Sequence, residues 1–266
     1  MRNRSRALLL ALLVSACARQ FTTGGKTSYA PKWRVGDWWV IKTWEPATSS
    51  RADDSNRSYR RYDVAGVEKI GRQDCYVLRA ASPDRGGGSS GTDVVWYVRT
   101  DNWLVVRQIL FSGPYGSVAP DTVESHLGLV GPLFGGEQCL PRFPLKPEGL
   151  DTMFKPRRLE DYSAWSREIS SVAEPASVKR LLEEGDTAGG RVVRPTGVVF
   201  EVRTEAGGEL GLRAQPPGRR IIQSRQLWSH NQPWRVYGEL AHYDAANPVW
   251  RVEERSWLVA VGHTRK

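Results

Sequence analysis

Short apolar runs separated by polar turn residues make up most of this chain from residue 33 onward. The runs are rich in β-branched and aromatic residues and have the length of single strands. They cover 38–43, 64–70, 75–78, 94–99 and 103–110 in the first half, and 198–203, 209–213, 220–226 and 234–240 in the second. This spacing predicts a mainly β chain with antiparallel sheets, arranged as a curved half-barrel or a sandwich.

The clearest predicted hairpin is Val94–Ile109, with its turn at residues 100–102, because Asp101 and Asn102 tolerate a positive φ. Residues 249–259 match residues 95–105 without gaps, with six identities in eleven positions. The match predicts a second hairpin and two related halves. The alternative is that unrelated strands reuse valine and tryptophan because both pack well on a sheet.

The middle of the chain has a different pattern. Residues 128–149 hold four prolines among apolar residues, which predicts an apolar loop that other parts of the protein cover. Leu159–Ile169 and Ala176–Glu184 are predicted to be short helices broken at Pro175. The expected organisation is an N-terminal β half at 33–142, followed by a helical insert and C-terminal β half at 143–266; one continuous domain is the alternative.

The first residues have the pattern of an export signal. Three arginines precede the apolar stretch Ala7–Ala16, which is too short for a transmembrane helix of about 20 residues. Residues 14–17, Val-Ser-Ala-Cys, match the lipobox of bacterial lipoproteins at every position. The chain therefore resembles a lipoprotein precursor, with a signal peptide at 1–16 and a flexible tether at 17–32.

The lipobox resemblance implies that Cys17 receives a diacylglycerol and becomes the first residue of the mature protein. Ala18, in place of an aspartate, favours the outer membrane in such lipoproteins. The expected location is therefore the outer membrane, lipid-anchored and facing the periplasm. The alternative is an ordinary signal peptide cut after Ala16, which would leave a free thiol in an oxidising compartment.

Charge and cysteine content narrow the class of protein. Without residues 1–16 the chain has 35 basic and 29 acidic residues, and no basic run of five or more indicates a nucleic-acid partner. Attraction to an anionic envelope surface accounts for this excess. Cys75 and Cys139 are a candidate disulfide; the alternative is two buried, unpaired thiols.

Catalytic and cofactor motifs fail on their context. Residues 86–91, Gly-Gly-Gly-Ser-Ser-Gly, formally match a dinucleotide turn and a nucleophile elbow around Ser89, but a predicted strand follows where both motifs need a helix. The four histidines are far apart and have no metal-ligand spacing. The sequence therefore predicts a protein without catalytic residues, metal or cofactor, although carboxylates suited to glycoside hydrolysis could still meet in the fold.

Eleven tryptophans are the most unusual feature of the composition. Most are expected in the core, because indole rings bury a large apolar area. Trp228, His230 and Trp234 are the candidate ligand-binding residues, since two rings flank several hydrogen-bonding side chains in a predicted loop.

The strand rhythm of residues 36–39, 64–78 and 96–101 is similar to that of many exported bacterial lipoproteins and of the LolA/LolB group. That group has an open β half-barrel closed by short helices over a cavity for acyl chains. Three functions follow as expectations: a lipoprotein that binds an apolar ligand, a structural or interaction protein of the envelope, or a protein that binds or hydrolyses glycans.

Overall fold

The structure is a computed structural model that describes residues 28–46, 57–81, 94–110, 121–124, 140–141, 143–146, 150–154, 165–187, 190–209, 219–244 and 247–264. Within these ranges it has twelve strands and one helix. The strands are β1 (Asp37–Trp44), β2 (Arg57–Ile70), β3 (Gln73–Ala81), β4 (Val94–Arg99), β5 (Val105–Leu110), β6 (Asp121–Glu124), β7 (Leu150–Phe154), β8 (Trp165–Val172), β9 (Val199–Glu209), β10 (Arg219–Ser229), β11 (Tyr237–Asp244) and β12 (Asn247–His263). The helix is α1 (Pro175–Thr187).

All the described strands form one antiparallel sheet in the order β6-β5-β4-β3-β2-β1-β12-β11-β10-β9-β8-β7. Each half of the chain is a meander in which every strand pairs with the next. The two meanders join where β1 pairs with β12, from Asp37 opposite His263 to Trp44 opposite Arg255. The prediction of a mainly β chain with an antiparallel sheet and a short helix is confirmed.

The predicted tether ends earlier than residue 32. Tyr29 is 3% exposed, and its backbone exchanges two hydrogen bonds with Leu145. Trp33 is also buried, and its Nε1 donates to the carbonyl oxygen of Pro233 at 2.6 Å. Residues 28–33 therefore pack against the domain, because burial of the Tyr29 and Trp33 side chains removes a large apolar area from water and lowers the free energy of the folded state. The rest of the predicted tether and the signal peptide lie outside the described residues.

Of the two predicted helices, the second is confirmed. The first is wrong over residues 165–169, the part of it that the structure describes. Residues 175–187 form α1, which begins at Pro175, a favoured residue for the first helical position. Residues 165–172 are strand β8 instead of helix, paired with β7 and β9. Glu168 and Ser170 of this strand are buried in alternation. Strand pairing on both sides outweighs the weak helical pattern of the isolated segment.

The hairpin of β4 and β5 is confirmed, with its turn at residues 100–102. The positive φ falls on Trp103, at 57°, and on neither Asp101 nor Asn102. The second hairpin is wrong, because residues 249–259 lie within the single strand β12. β12 pairs with β11 and β1 along its length, so its central polar residues extend the ladder.

The two faces of the sheet have different covers. One face carries stacked aromatic rings, including Trp39, Tyr62, Trp96 and Trp228, which lie beneath the segment that follows β10. The other face carries Trp257, whose Nε1 donates to the carbonyl oxygen of Leu181 in α1 at 2.9 Å. Among the described residues, no helix has the length and apolar character needed to cross a bilayer.

Candidate functional site

An open apolar groove lies where β8 ends, α1 begins and the chain enters β9. Its volume is about 760 Å³, within the usual range for sites that bind small molecules. The apolar residues of its wall are Val172, Ala173, Pro175, Val178, Pro195, Val198 and Val199. The end of β8, the first half of α1 and the segment that leads into β9, all within residues 172–199, thus form one concave apolar surface, which we call the helix groove.

Local backbone structure fixes the shape of the helix groove. The amide of Ala173 donates to the carbonyl oxygen of Val199 at 2.8 Å, which holds the end of β8 against the start of β9. The amide of Val178 donates to the carbonyl oxygen of Glu174 at 3.0 Å and closes the first turn of α1. Gly197, with φ of 79°, turns the chain into β9, a conformation that glycine adopts without steric cost.

Two ion pairs border the helix groove. Lys179 faces Glu183 at 3.8 Å on the exposed side of α1, and Arg194 pairs with Asp186. Lys179, Glu183 and Arg194 all line the opening. Because each cation has a carboxylate partner, the rim has no net charge, and the site suits an apolar group better than a strongly charged one.

Side chains of β1 and β10 hold α1 against the sheet. Lys42 is fully buried, and its Nζ donates to the carbonyl oxygen of Gly185 at 2.7 Å. Burial and the nearby Arg57 lower the pKa of Lys42, although Asp186 raises it in part. Arg225 donates to the Ser177 hydroxyl at 3.0 Å near the start of the helix. The helix wall of the groove is therefore attached at both ends.

Carboxylates beneath α1 are held by arginines. Glu201 accepts from Arg225 at 2.9 Å and from Arg203 at 2.5 Å. Burial raises the pKa of Glu201, but hydrogen bonds from both arginines lower it more, so the net pKa lies below the ordinary value. Glu239 accepts from Arg255 at 2.8 Å and from the Tyr237 hydroxyl at 2.7 Å. Glu201 held in its ionised form is a poor general acid. Its partner Arg225 also donates to Ser177, so this ion pair connects the sheet to the start of α1.

The structure brings Trp228, His230 and Trp234 together, but inside the protein. Trp228 lies on β10, and both tryptophans are fully buried with ring centroids 5.6 Å apart. His230 is half-buried, with its ring edge-on to Tyr29 at 5.4 Å. The expectation that both indole rings lie in a loop is wrong for Trp228, which is on β10, whereas Trp234 does follow that strand. Both rings pack among neighbouring aromatic rings in the core.

Trp234 is the centre of the aromatic core. Its ring stacks on Trp39 at 5.3 Å, Tyr62 at 5.5 Å and Trp33 at 6.1 Å, with Trp96 at 6.4 Å. The segment after β10 thus inserts a large side chain where the half-barrel expectation placed a ligand cavity. Around Trp234, the described part of the aromatic face is therefore filled by the protein's own rings.

The structure describes one of the three cysteines, Cys75. Cys75 is a fully buried free thiol on β3, and burial raises its pKa. This agrees with the alternative of an unpaired thiol packed as a small apolar group. Cys139 and the lipobox residue Cys17 lie outside the described residues. Within the described residues, no group of three or more His, Cys, Asp and Glu side chains could hold a metal ion.

Sequence reasoning missed the helix groove. Its residues are ordinary valines, alanines and prolines from three segments, and none of them forms a motif. The signal in the sequence is weak: a valine lies three residues from a proline at both Val172 and Val198, near Pro175 and Pro195, and the structure leaves both valines exposed. Val172 is 49% exposed and Val198 is 38% exposed.

Comparisons with known proteins identify no family for this chain. No protein-family model matches the chain, and no curated protein matches it. A solved crystal structure from Parabacteroides distasonis, described provisionally as a lipoprotein, matches 90% of this chain and 100% of that chain. The sequence identity is 11% and the TM-score is 0.34, a level at which the likeness carries no argument about this chain.

Proposed function

We propose that this chain is a non-enzymatic lipoprotein of the bacterial envelope whose helix groove binds an extended apolar ligand, such as the acyl chain of a lipid. Cys17 would carry the anchor, in the outer membrane and on its periplasmic side. The observation that carries the ligand proposal is the groove of about 760 Å³, with apolar walls and a rim of paired charges.

The path of the N-terminal segment supports a groove close to the membrane. Tyr29 stacks on Phe200 at 6.1 Å on the aromatic face of the sheet. Phe200 follows the groove residue Val199 in β9, so Tyr29 lies on the opposite side of the sheet from the groove, one sheet thickness away. Only ten residues lie between Cys17 and Ser28, so the eleven steps of chain that join them extend at most about 40 Å. A lipid on Cys17 would therefore keep the helix groove within reach of the bilayer surface.

A binding experiment tests the groove. The exported Cys17→Ser chain, purified without detergent, is titrated with a fluorescent fatty acid. Val198→Lys places a charge at the groove wall, and we expect at least about tenfold weaker binding because the ammonium group resists contact with an apolar chain. Val249→Lys is the matched control, since Val249 is 55% exposed and lies outside the groove.

Absence of binding by the unsubstituted chain would reject the ligand proposal, as would equal loss in both lysine variants. Anchoring is tested separately by feeding cells an alkyne-tagged fatty acid. The wild-type protein should take up the label and Cys17→Ser should not. Label on the variant would place the modification elsewhere.

A second function, docking of a protein partner, is favoured by one observation. Val172 and Val198 expose apolar surface at the edge of the groove while the aromatic interior is filled. Such an edge fits apolar side chains of another envelope protein. No observation favours glycan binding, which needs exposed rings at Trp228 and Trp234.

A further inference from the structure

A row of polar side chains crosses the aromatic face of the sheet next to the stacked rings. Strand register places one residue from each of six neighbouring strands in this row: Ser170, Val202, Gln226, Gly238, Ser256 and Thr43. The four hydroxyl and amide side chains are all at most 4% exposed. Residues paired in this way share one face, so they form a buried polar strip.

Arg235 lies on this strip. It is 2% exposed, and its side chain occupies the space above Gly238. A Cβ atom at Gly238 would approach Arg235 Nε and Ser256 Oγ to 2.7 Å each. The absence of a side chain at residue 238 is thus what allows a guanidinium group to rest on the sheet.

The guanidinium group of Arg235 is incompletely compensated. In the part of the chain that the structure describes, Nε and Nη1 are buried and have no hydrogen-bond partner. Arginine stays protonated in proteins, so burial leaves a positive charge as well as two unused donors. The Trp234 ring, with its centroid 5.7 Å from the guanidinium carbon, supplies only a weak attraction.

Neighbouring groups on the same face add further donors. The hydroxyls of Ser170 and Ser224 are buried without a partner. Ser224 is two residues from Gln226 on β10 and shares its face. Gln226 accepts the indole N–H of Trp228 at 2.9 Å through Oε1.

We propose that the buried strip around Arg235, Ser256 and Ser224 binds an oxyanion, the carboxylate or phosphate group of a small ligand. The Arg235 guanidinium and the hydroxyls of Ser256 and Ser224 offer donors to one acceptor-rich, negatively charged group, and a charge-assisted hydrogen bond is the strongest available to a buried arginine. This site is on the opposite face of the sheet from the Trp257 face beneath α1, and it does not depend on the helix groove.

Thermal unfolding in the presence of anions tests the site. The exported Cys17→Ser chain is melted in chloride buffer and again with inorganic phosphate or acetate, at constant ionic strength. We expect one of the two anions to raise Tm by at least about 3 °C, because a ligand that binds the folded state stabilises it. A response to phosphate alone assigns a phosphate group, and a response to acetate alone assigns a carboxylate.

Arg235→Met keeps the apolar length of the side chain and removes the charge, so it should abolish the rise in Tm. Arg79→Met is the control, because Arg79 is exposed on β3, and it should behave as the parent chain does. If Arg235→Met fails to fold, Arg235→Lys replaces it, and the rise should shrink because a lysine cannot bind an oxyanion in two places. No rise with either anion in the parent chain, or an equal rise in the Arg235 variant, overturns the proposal.

Discussion

Replacing Trp234 by alanine tests whether the segment after β10 is a structural part of the core. Trp234 is fully buried, and its ring contacts five others: Trp33, Trp39, Tyr62, Trp96 and Trp228. Removing a buried tryptophan side chain costs about 3–5 kcal/mol, from lost transfer free energy and from the cavity left behind. The indole N–H of Trp234 is buried without a hydrogen-bond partner, which destabilises the folded parent protein. Removing this N–H offsets the loss of stability by about 1 kcal/mol.

We therefore expect Trp234→Ala to lower the free energy of unfolding by about 3–4 kcal/mol. In a domain of this size, that corresponds to a fall in Tm of roughly 6–16 °C. Urea unfolding followed by far-ultraviolet circular dichroism measures the change without relying on tryptophan fluorescence.

The matched control is Trp250→Ala. Trp250 is 44% exposed, with Tyr243 as its neighbouring ring at 5.6 Å, so its removal should cost less than about 1 kcal/mol. If both substitutions cost the same, or if Trp234→Ala costs under about 1 kcal/mol, Trp234 does not fill the core and the aromatic interior would be open to a ligand.

Two further predictions concern charge and space. Glu201→Gln should lower the free energy of unfolding at pH 7. Because the pKa of Glu201 is lowered in the folded protein, its contribution is present above the ordinary value of 4.5 and is lost as the pH falls through the folded-state pKa, so the variant and the parent protein should converge below it; urea unfolding at several pH values measures this. Gly262→Ala should lower the free energy of unfolding by about 1–3 kcal/mol, because the added methyl group would overlap the indole of Trp38. Gly66→Ala is the control: its methyl group meets open space, so the free energy of unfolding should hardly change. Thermal unfolding of both variants measures the difference.

Local pattern was sufficient for the strands that pair with their sequence neighbours. Alternating valine and aromatic residues on either side of residues 100–102 predicted the pairing of β4 with β5. The same reasoning failed for β12, where the polar residues at 253–256 resemble a turn. Their extended conformation depends on β11 on one side and β1 on the other, and β1 is distant in sequence.

The candidate sites depended on tertiary structure even more strongly. Trp234 follows a polar stretch, so its sequence context favours an exposed ring, yet rings from β1, β2 and β4 surround it. Arg235 has no sequence feature that distinguishes it from the other arginines. Its burial follows from the glycine at 238 and from strand register, and a single sequence reveals neither.

The pairing of β1 with β12 has a consequence for how the chain folds. Asp37 and His263 are in contact although 226 residues apart in sequence. β1, the first described strand, can therefore pair with β12 only after the last described strand has been synthesised. Until then the edge of β1 is unpaired, and such an edge is prone to aggregate. A circularly permuted chain that joined the present ends and began at β7 would run through the sheet in simple succession, and its low contact order should let it fold faster.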